Sequence, residues 1–204
     1  MNIDDANIFR NLSEQAVSKT IVETFKKEIN ALTVEDTGEA EINGYLKVGK
    51  VRPSVVKNQE TVTPKKSAFN RIVTDGHFEL EFSSFLDGCD DLISHAKNYF
   101  GLNFKIEYVN ADGDISNYYP DFLVKTSEKE VYIIETKGLE DLDDPLKIER
   151  LKQWCDDVNA QQNKTKFKWL YVQQGDWEKY RPKSFKELVS TFEDDAPAKS
   201  RKKA

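Results

Sequence analysis

The chain has little of what metal and disulfide scaffolds need. Its 204 residues include two cysteines, Cys89 and Cys155, and two histidines, His77 and His95. Two cysteines cannot build a disulfide framework, and neither sits in a Cys-x-x-Cys pair. With no cluster of His or Cys, a zinc site is not expected. No run approaches the ~18 consecutive apolar residues of a membrane span. The first residues, Met1-Asn2-Ile3-Asp4-Asp5, are acidic where a secretion signal needs basic residues and then an apolar stretch. A reduced, cytoplasmic protein is therefore expected. A positive net charge is also missing: 30 Lys and Arg stand against 36 Asp and Glu, for a formal charge of -6. The overall field does not steer such a chain onto nucleic acid. Any nucleic acid it acts on must meet a local basic surface or be delivered by a partner.

What is present reads as one globular unit with an appendage. Aromatics make up 11% of the residues, too many for a disordered chain. Residues 11–32 read as a helix, with Asn11 and Glu14 as a capping box and Val17, Ile21, Phe25, Ile29 and Leu32 at helical spacing. Residues 33–74 mix short apolar pieces with Gly38, Gly44, Gly49, Pro53 and Pro64, and a strand or hairpin is expected near 40–51. Residues 1–64 are assigned to an N-terminal helix and irregular extension, 65–192 to the main domain, and 193–204 to a disordered basic tail. Gly44 to Val51 nearly matches a phosphate-binding loop, but Val51 stands where Ser or Thr must hold Mg²⁺, so a hairpin is preferred.

Within the main domain, Phe78, Phe82, Phe85 and Leu86 mark a helix, and Leu92, Ile93 and Ala96 continue its spacing to Phe100. Residues 103–109 alternate as a half-buried strand, and Asn110-Ala-Asp-Gly-Asp114 is a turn. Tyr118–Lys125 and Glu130–Lys137 are two strands of a hairpin, apolar on both faces near their centres, as in a covered sheet. Asp144-Pro145 opens a helix with Ile148, Leu151, Trp154, Cys155 and Val158 on its buried face. Phe167–Val172 is a further strand and Ser184–Phe192 a short helix. The expected fold is an α/β layer sandwich with a central mixed sheet, in the order helix, three strands, helix, strand.

The sharpest constellation is Tyr119-Pro120-Asp121-Phe122 with Ile134-Glu135-Thr136-Lys137-Gly138. If residues 126–129 turn the strands back, Asp121 falls opposite Glu135, and Lys137 shares the face of Glu135. Two adjacent carboxylates stay ionised only with a cation between them. Oxygen ligands with open positions select a hard divalent ion, Mg²⁺ with Mn²⁺ as substitute. That chemistry suits phosphodiester hydrolysis, with Lys137 supporting the attacking water. The bland alternative is a solvated strand edge.

Pro-Asp, a hairpin and then Glu-x-Lys resembles the PD-(D/E)XK nucleases. The neighbourhood is similar to the C-terminal endonuclease domain of type III restriction-enzyme Res subunits and related helicase-nucleases. The segments that carry this are Phe69-Asn70, Phe78-Glu79-x-x-Phe82, His95-Ala-Lys97-Asn98, Tyr119-Pro-Asp-Phe122, Glu135-Thr-Lys-Gly138 and Gln153-Trp154-Cys155, roughly residues 65–173. The resemblance implies a restriction-endonuclease-like α/β/α core and a Mg²⁺-dependent deoxyribonuclease acting on double-stranded DNA in a restriction or phage-defence setting. It also implies a helix acid at the metal, which it places at Glu79, although periodicity alone does not separate Glu79 from Glu81. The carbonyl of Thr136 joins the metal ligands on the same ground. Lys147, Arg150 and Lys152 are the candidates for phosphate contact, against a plain solvated face. Res subunits carry an ATP-driven motor and this chain has no usable nucleotide-binding motif, so a helicase or translocase module is expected in cis or in trans. A homodimer would serve double-strand cleavage. The alternatives are a non-catalytic DNA- or protein-binding module of a defence complex, or a phosphoesterase acting on RNA.

Overall fold

A computed structural model of the chain describes residues 14–33, 40–51, 61–74, 76–99 and 101–193. Asn11, Phe100 and residues 194–204, on which sequence expectations fall, lie outside them. Along the chain, helix α1 (Gln15–Thr33) is followed by a single 3-10 turn at Val48–Lys50 and a short ladder of β1 (Thr61–Val62) with β2 (Ile72–Val73). Helix α2 (His77–Gly88) leads into β3 (Ser94–Lys97), then the hairpin of β4 (Ile106–Val109) with β5 (Ile115–Tyr118). Strands β6 (Phe122–Ser127) and β7 (Glu130–Lys137) follow, then α3 (Asp144–Gln161), β8 (Lys166–Gln173), α4 (Gln174–Tyr180) and α5 (Phe185–Phe192).

The architecture is α/β around a mixed sheet of four strands in the order β3-β6-β7-β8. Strand β6 pairs antiparallel with β3 and β7, and β7 pairs parallel with β8 across α3. Alternation sends Phe122, Val124, Tyr132, Ile134, Leu170 and Val172 to one face, where they pack with Phe78, Phe82 and Leu86 of α2, Trp177 of α4 and Phe185, Leu188 and Phe192 of α5. Phe82 lies 5.3 Å from Phe122 and 5.2 Å from Trp177, ring centre to ring centre. Ile133 and Tyr171 point to the other face, against Ile148, Leu151 and Cys155 of α3 and Ile106, Tyr108 and Tyr118 of the β4–β5 hairpin. Full burial of side chains this size contributes about 1.5–3 kcal/mol each. Helices on both faces explain why β7 reads as a continuous apolar run.

Several expectations change. Residues 92–97 do not resume the helix. Its end is closed by Cys89, whose N–H bonds back to Phe85 and Leu86, and Ser94–Lys97 instead forms an edge strand on β6. Leu92 and Ala96 are buried but Ile93 is exposed, so their helical spacing has no shared face to serve. The strand at 103–109 shortens to Ile106–Val109 and pairs with β5 outside the central sheet. The run Tyr118–Lys125 divides at Tyr119–Asp121, where Pro120 has no N–H to continue a ladder. No strand forms at 40–51; its apolar pieces are short and broken by Gly44 and Gly49. Helix α3 begins at Asp144 itself, with Asp143 before it as the cap residue, and α4 was not expected. On α1, Val22, Phe25 and Ile29 stand exposed. The turn at 110–114 is as expected: the Asn110 side chain accepts from Asp112 and Asp114 N–H groups, and Gly113 takes φ +87. Ser184 caps α5 by accepting from the Glu187 N–H at 3.1 Å. Among the described residues, no helix is long and apolar enough to cross a membrane.

Candidate active site

The site sits where the paired ends of β6 and β7 meet the edge strand and the start of α2. The register pairs Phe122 with Ile134, Leu123 with Ile133 and Val124 with Tyr132. One step beyond Phe122, this register carries Asp121 to the level of Glu135. Asp121 is held from two sides. Its Oδ2 accepts from the Thr136 backbone N–H at 2.8 Å and from the Thr136 hydroxyl at 2.7 Å. Its Oδ1 accepts from Lys97 Nζ at 2.6 Å.

The corner that presents Asp121 is fixed by a residue that sequence reasoning did not single out as functional. Asn98 is buried just past β3. Its side-chain amide donates to the carbonyls of Pro120 at 2.8 Å and Phe104 at 2.7 Å, and its backbone N–H donates to the Asp121 carbonyl at 2.7 Å. Satisfying these carbonyls fixes the segment between β5 and β6, which has no ladder of its own.

Lys97 is the second such residue. It is buried on β3, and its ammonium lies 3.1 Å from Glu79 Oε2 as well as against Asp121. Burial disfavours the ammonium, but Asp121 and then Glu79 outweigh it and hold the pKa above the ordinary lysine value. Glu79 stands in the first turn of α2 and reaches the cluster through Lys97. Glu81, left open by periodicity, is exposed and pairs with His77 at 3.4 Å instead.

Glu135 receives a hydrogen bond on Oε2 from the Tyr118 hydroxyl at 3.0 Å. Burial pushes its carboxyl well above the usual carboxylate range, and the charge of Asp121 adds to this. The bond from Tyr118 and the charges of Lys137 and Lys97 oppose the rise without cancelling it. Tyr118, buried at the end of β5, is itself pushed up, by burial first and by Glu135 next, so it remains a donor. Tyr118 is the third functional candidate that no sequence pattern marks.

Lys137 shares the sheet end with Glu135, yet its ammonium bonds elsewhere: 2.8 Å to Asp144 Oδ1 and 3.0 Å to Asp141 Oδ2. Burial works against its charge and these two acids more than restore it. Lys147 joins the same pair, 3.2 Å from Asp144 and 3.3 Å from Asp141. Arg150 donates from Nε to the Glu107 carbonyl at 3.2 Å, and Lys152 lies 4.3 Å from the centre of the Trp169 ring. All three proposed phosphate contacts are thus engaged within the chain.

No protein-family model matches the chain, and no curated protein and no solved structure matches it. The chemistry of the site therefore rests on its own geometry. Among the described residues, no group of three or more His, Cys, Asp or Glu side chains is gathered as a ready metal cage. The ammonium of Lys97 stands between Glu79 and Asp121. The donor set is nonetheless all oxygen, and Glu135 is a carboxyl whose ionisation a nearby cation would favour. Those properties fit a hard divalent ion rather than zinc.

Proposed function

We propose that the chain is a metal-dependent nuclease domain that hydrolyses phosphodiester bonds in DNA, with a restriction-endonuclease-like core. The observation that carries this reading is the approach of Asp121, one residue before β6, to Glu135 and Thr136 at the end of β7, with Glu79 drawn to Asp121 through Lys97. The sheet order β3-β6-β7-β8, entered from α2 and crossed by α3, also supports it.

Asp121, Glu135, Glu79 and the Thr136 carbonyl would hold Mg²⁺ or Mn²⁺. When bound, the ion supplies a Lewis acid for a phosphate oxygen and lowers the pKa of water. The protein's own groups do the rest. Thr136 fixes the plane of the Asp121 carboxylate through two hydrogen bonds. Tyr118 orients Glu135 and favours its ionised form. Lys137 is the cation assigned to the attacking water, and Asp144 and Asp141 keep it protonated at the end of β7. With Lys147, Arg150 and Lys152 engaged internally and a net charge of -6, affinity for DNA is expected from a partner. A helicase or translocase module fits that role, and double-stranded DNA is the substrate the resemblance points to.

Plasmid and single-stranded substrates incubated with Mg²⁺ or Mn²⁺, with and without EDTA, test the proposal. Cleavage that needs the ion and is lost in Glu135→Gln is expected. Full activity in EDTA, or no cleavage of any nucleic acid with either ion and a motor partner, would overturn it.

A further inference from the structure

The ammonium that touches Asp121 is not the one the linear motif offers. The lysine of Glu135-Thr-Lys137 is tied to Asp141 and Asp144, whereas the ammonium inside the acidic cluster comes from the edge strand β3. We propose that Lys97 is the resident counter-ion of this cluster and competes with the divalent cation for Asp121, so that metal binding requires Lys97 to withdraw. The inference rests on the metal-dependent reading above.

The hydrogen bonds of Asp121 leave little choice. A carboxylate oxygen has two lone pairs, and both on Oδ2 are used by Thr136. Oδ1 is the oxygen left for a cation, and Lys97 Nζ already lies 2.6 Å from it. A divalent ion bonded to the same oxygen would stand a few ångströms from a buried ammonium, and like charges that close repel strongly where water is scarce. The second partner of Lys97, Glu79, is the other acid expected to turn to the ion. One ammonium therefore holds two of the proposed ligands. In that same position Lys97 Nζ lies 5.1 Å from the centre of the Phe122 ring, so a cation–π contact adds to the two acids in seating the ammonium. Without the metal, the arrangement holds the Glu79 and Asp121 side chains in place with a positive charge between them. The predicted cost is weakened metal affinity.

Binding of Mn²⁺ to the full chain, read from the signal of free hexaaqua Mn²⁺ by electron paramagnetic resonance, tests this without relying on activity. Lys97→Met should bind Mn²⁺ at least about tenfold more tightly than wild type, corresponding to about 1.4 kcal/mol. Lys97→Arg, which keeps the charge, should not tighten binding. If Lys97→Met does not fold in EDTA, it and Lys97→Gln should regain a cooperative thermal transition when Mn²⁺ is added. Unchanged or weaker Mn²⁺ binding by a folded Lys97→Met overturns the inference, as does failure of both variants to fold with Mn²⁺ present. Cleavage is scored separately. Tighter Mn²⁺ binding with no nuclease activity in wild type would remove the proposed function and leave the role of Lys97 standing. Metal-dependent cleavage with no effect of Lys97→Met on affinity would do the reverse. Absence of Mn²⁺ binding by wild type overturns both.

Discussion

Tyr118→Phe removes one oxygen from a buried side chain and leaves its ring in place, so it separates the positioning of Glu135 from the packing of the hairpin. Tyr118 is 3% exposed, and its hydroxyl donates to Glu135 Oε2 at 3.0 Å. A hydrogen bond to an ionised group contributes about 1.5–3 kcal/mol. If that bond is spent on holding the ionised Glu135 in its working orientation, cleavage near neutral pH should fall roughly ten- to hundredfold. The pH profile gives the more specific signature. The bond favours the ionised carboxyl and opposes the upward push of burial and Asp121. Its loss raises the pH at which Glu135 gives up its proton, so the acid limb of the rate profile moves to higher pH. The assay is initial cleavage rate against pH at saturating Mg²⁺, with thermal unfolding as a check that the core persists. A folded variant whose rate and acid limb both match wild type would refute a role for Tyr118 in setting the state of Glu135.

Asp121→Asn and Glu135→Gln should each lower kcat/KM for cleavage by at least about a hundredfold, about 2.7 kcal/mol, while far-ultraviolet circular dichroism stays that of the folded chain; near-wild-type rates in either variant would remove that residue from the site. Asp91 accepts from the N–H groups of Lys186 at 2.7 Å and Phe185 at 3.0 Å at the start of α5. Burial alone would raise its carboxyl, but these bonds outweigh it and hold the folded-state value below the ordinary one. The stability from Asp91 is therefore complete above the usual aspartate range and lost as pH falls through the depressed value. Asp91→Ala should cost about 1 kcal/mol at neutral pH, roughly 2–4 °C in Tm, and less at strongly acidic pH; a Tm deficit that grew on acidification would contradict this.

The acidic pair was legible because a short hairpin turn between two apolar strands leaves few registers. Tyr132–Ile134, Phe122 and Val124 are buried in the centre of the sheet with Leu123 and Val131 half-buried beside them, and a one-residue slip would turn their side chains to the wrong faces. Helix α2 was legible for the same kind of reason, through Phe78, Phe82 and Leu86. Strand β3 was not. Its four residues, Ser94-His-Ala-Lys97, carry two polar groups that the fold buries, so hydrophobic pattern had nothing to detect. Lys97 was missed with it. A lysine on a short polar strand has no local mark, and only the pairing of Lys97 with Phe122 brings it beside Asp121. For Lys137, strand periodicity gave the face but not the reach of a long side chain. Asp141 and Asp144, on the loop and helix that follow, decide where its ammonium rests. Asn98 and Tyr118 act through a corner and a second hairpin, and neither partner is near in sequence.

The irregularity in the β6–β7 ladder has a consequence for how this chain tolerates changes of length. The register shifts by one residue between Lys125 and Ser127, so Thr126 is extra to the pairing. Losing Thr126 would regularise the hairpin near its turn and leave Asp121 level with Glu135. Added residues at the Glu128-Lys129 turn would enlarge a loop and spare the ladder. A single residue added between Phe122 and Lys125 is different in kind. It would move Asp121 one place along and to the opposite face, out of reach of Thr136 and Lys97. In-frame insertions and deletions in this hairpin are thus sorted by position: at the turn and the bulge they spare the register of the acids, with loss of Thr126 removing its hydrogen bond to Glu130, and in the four paired residues beside the acids they are disabling.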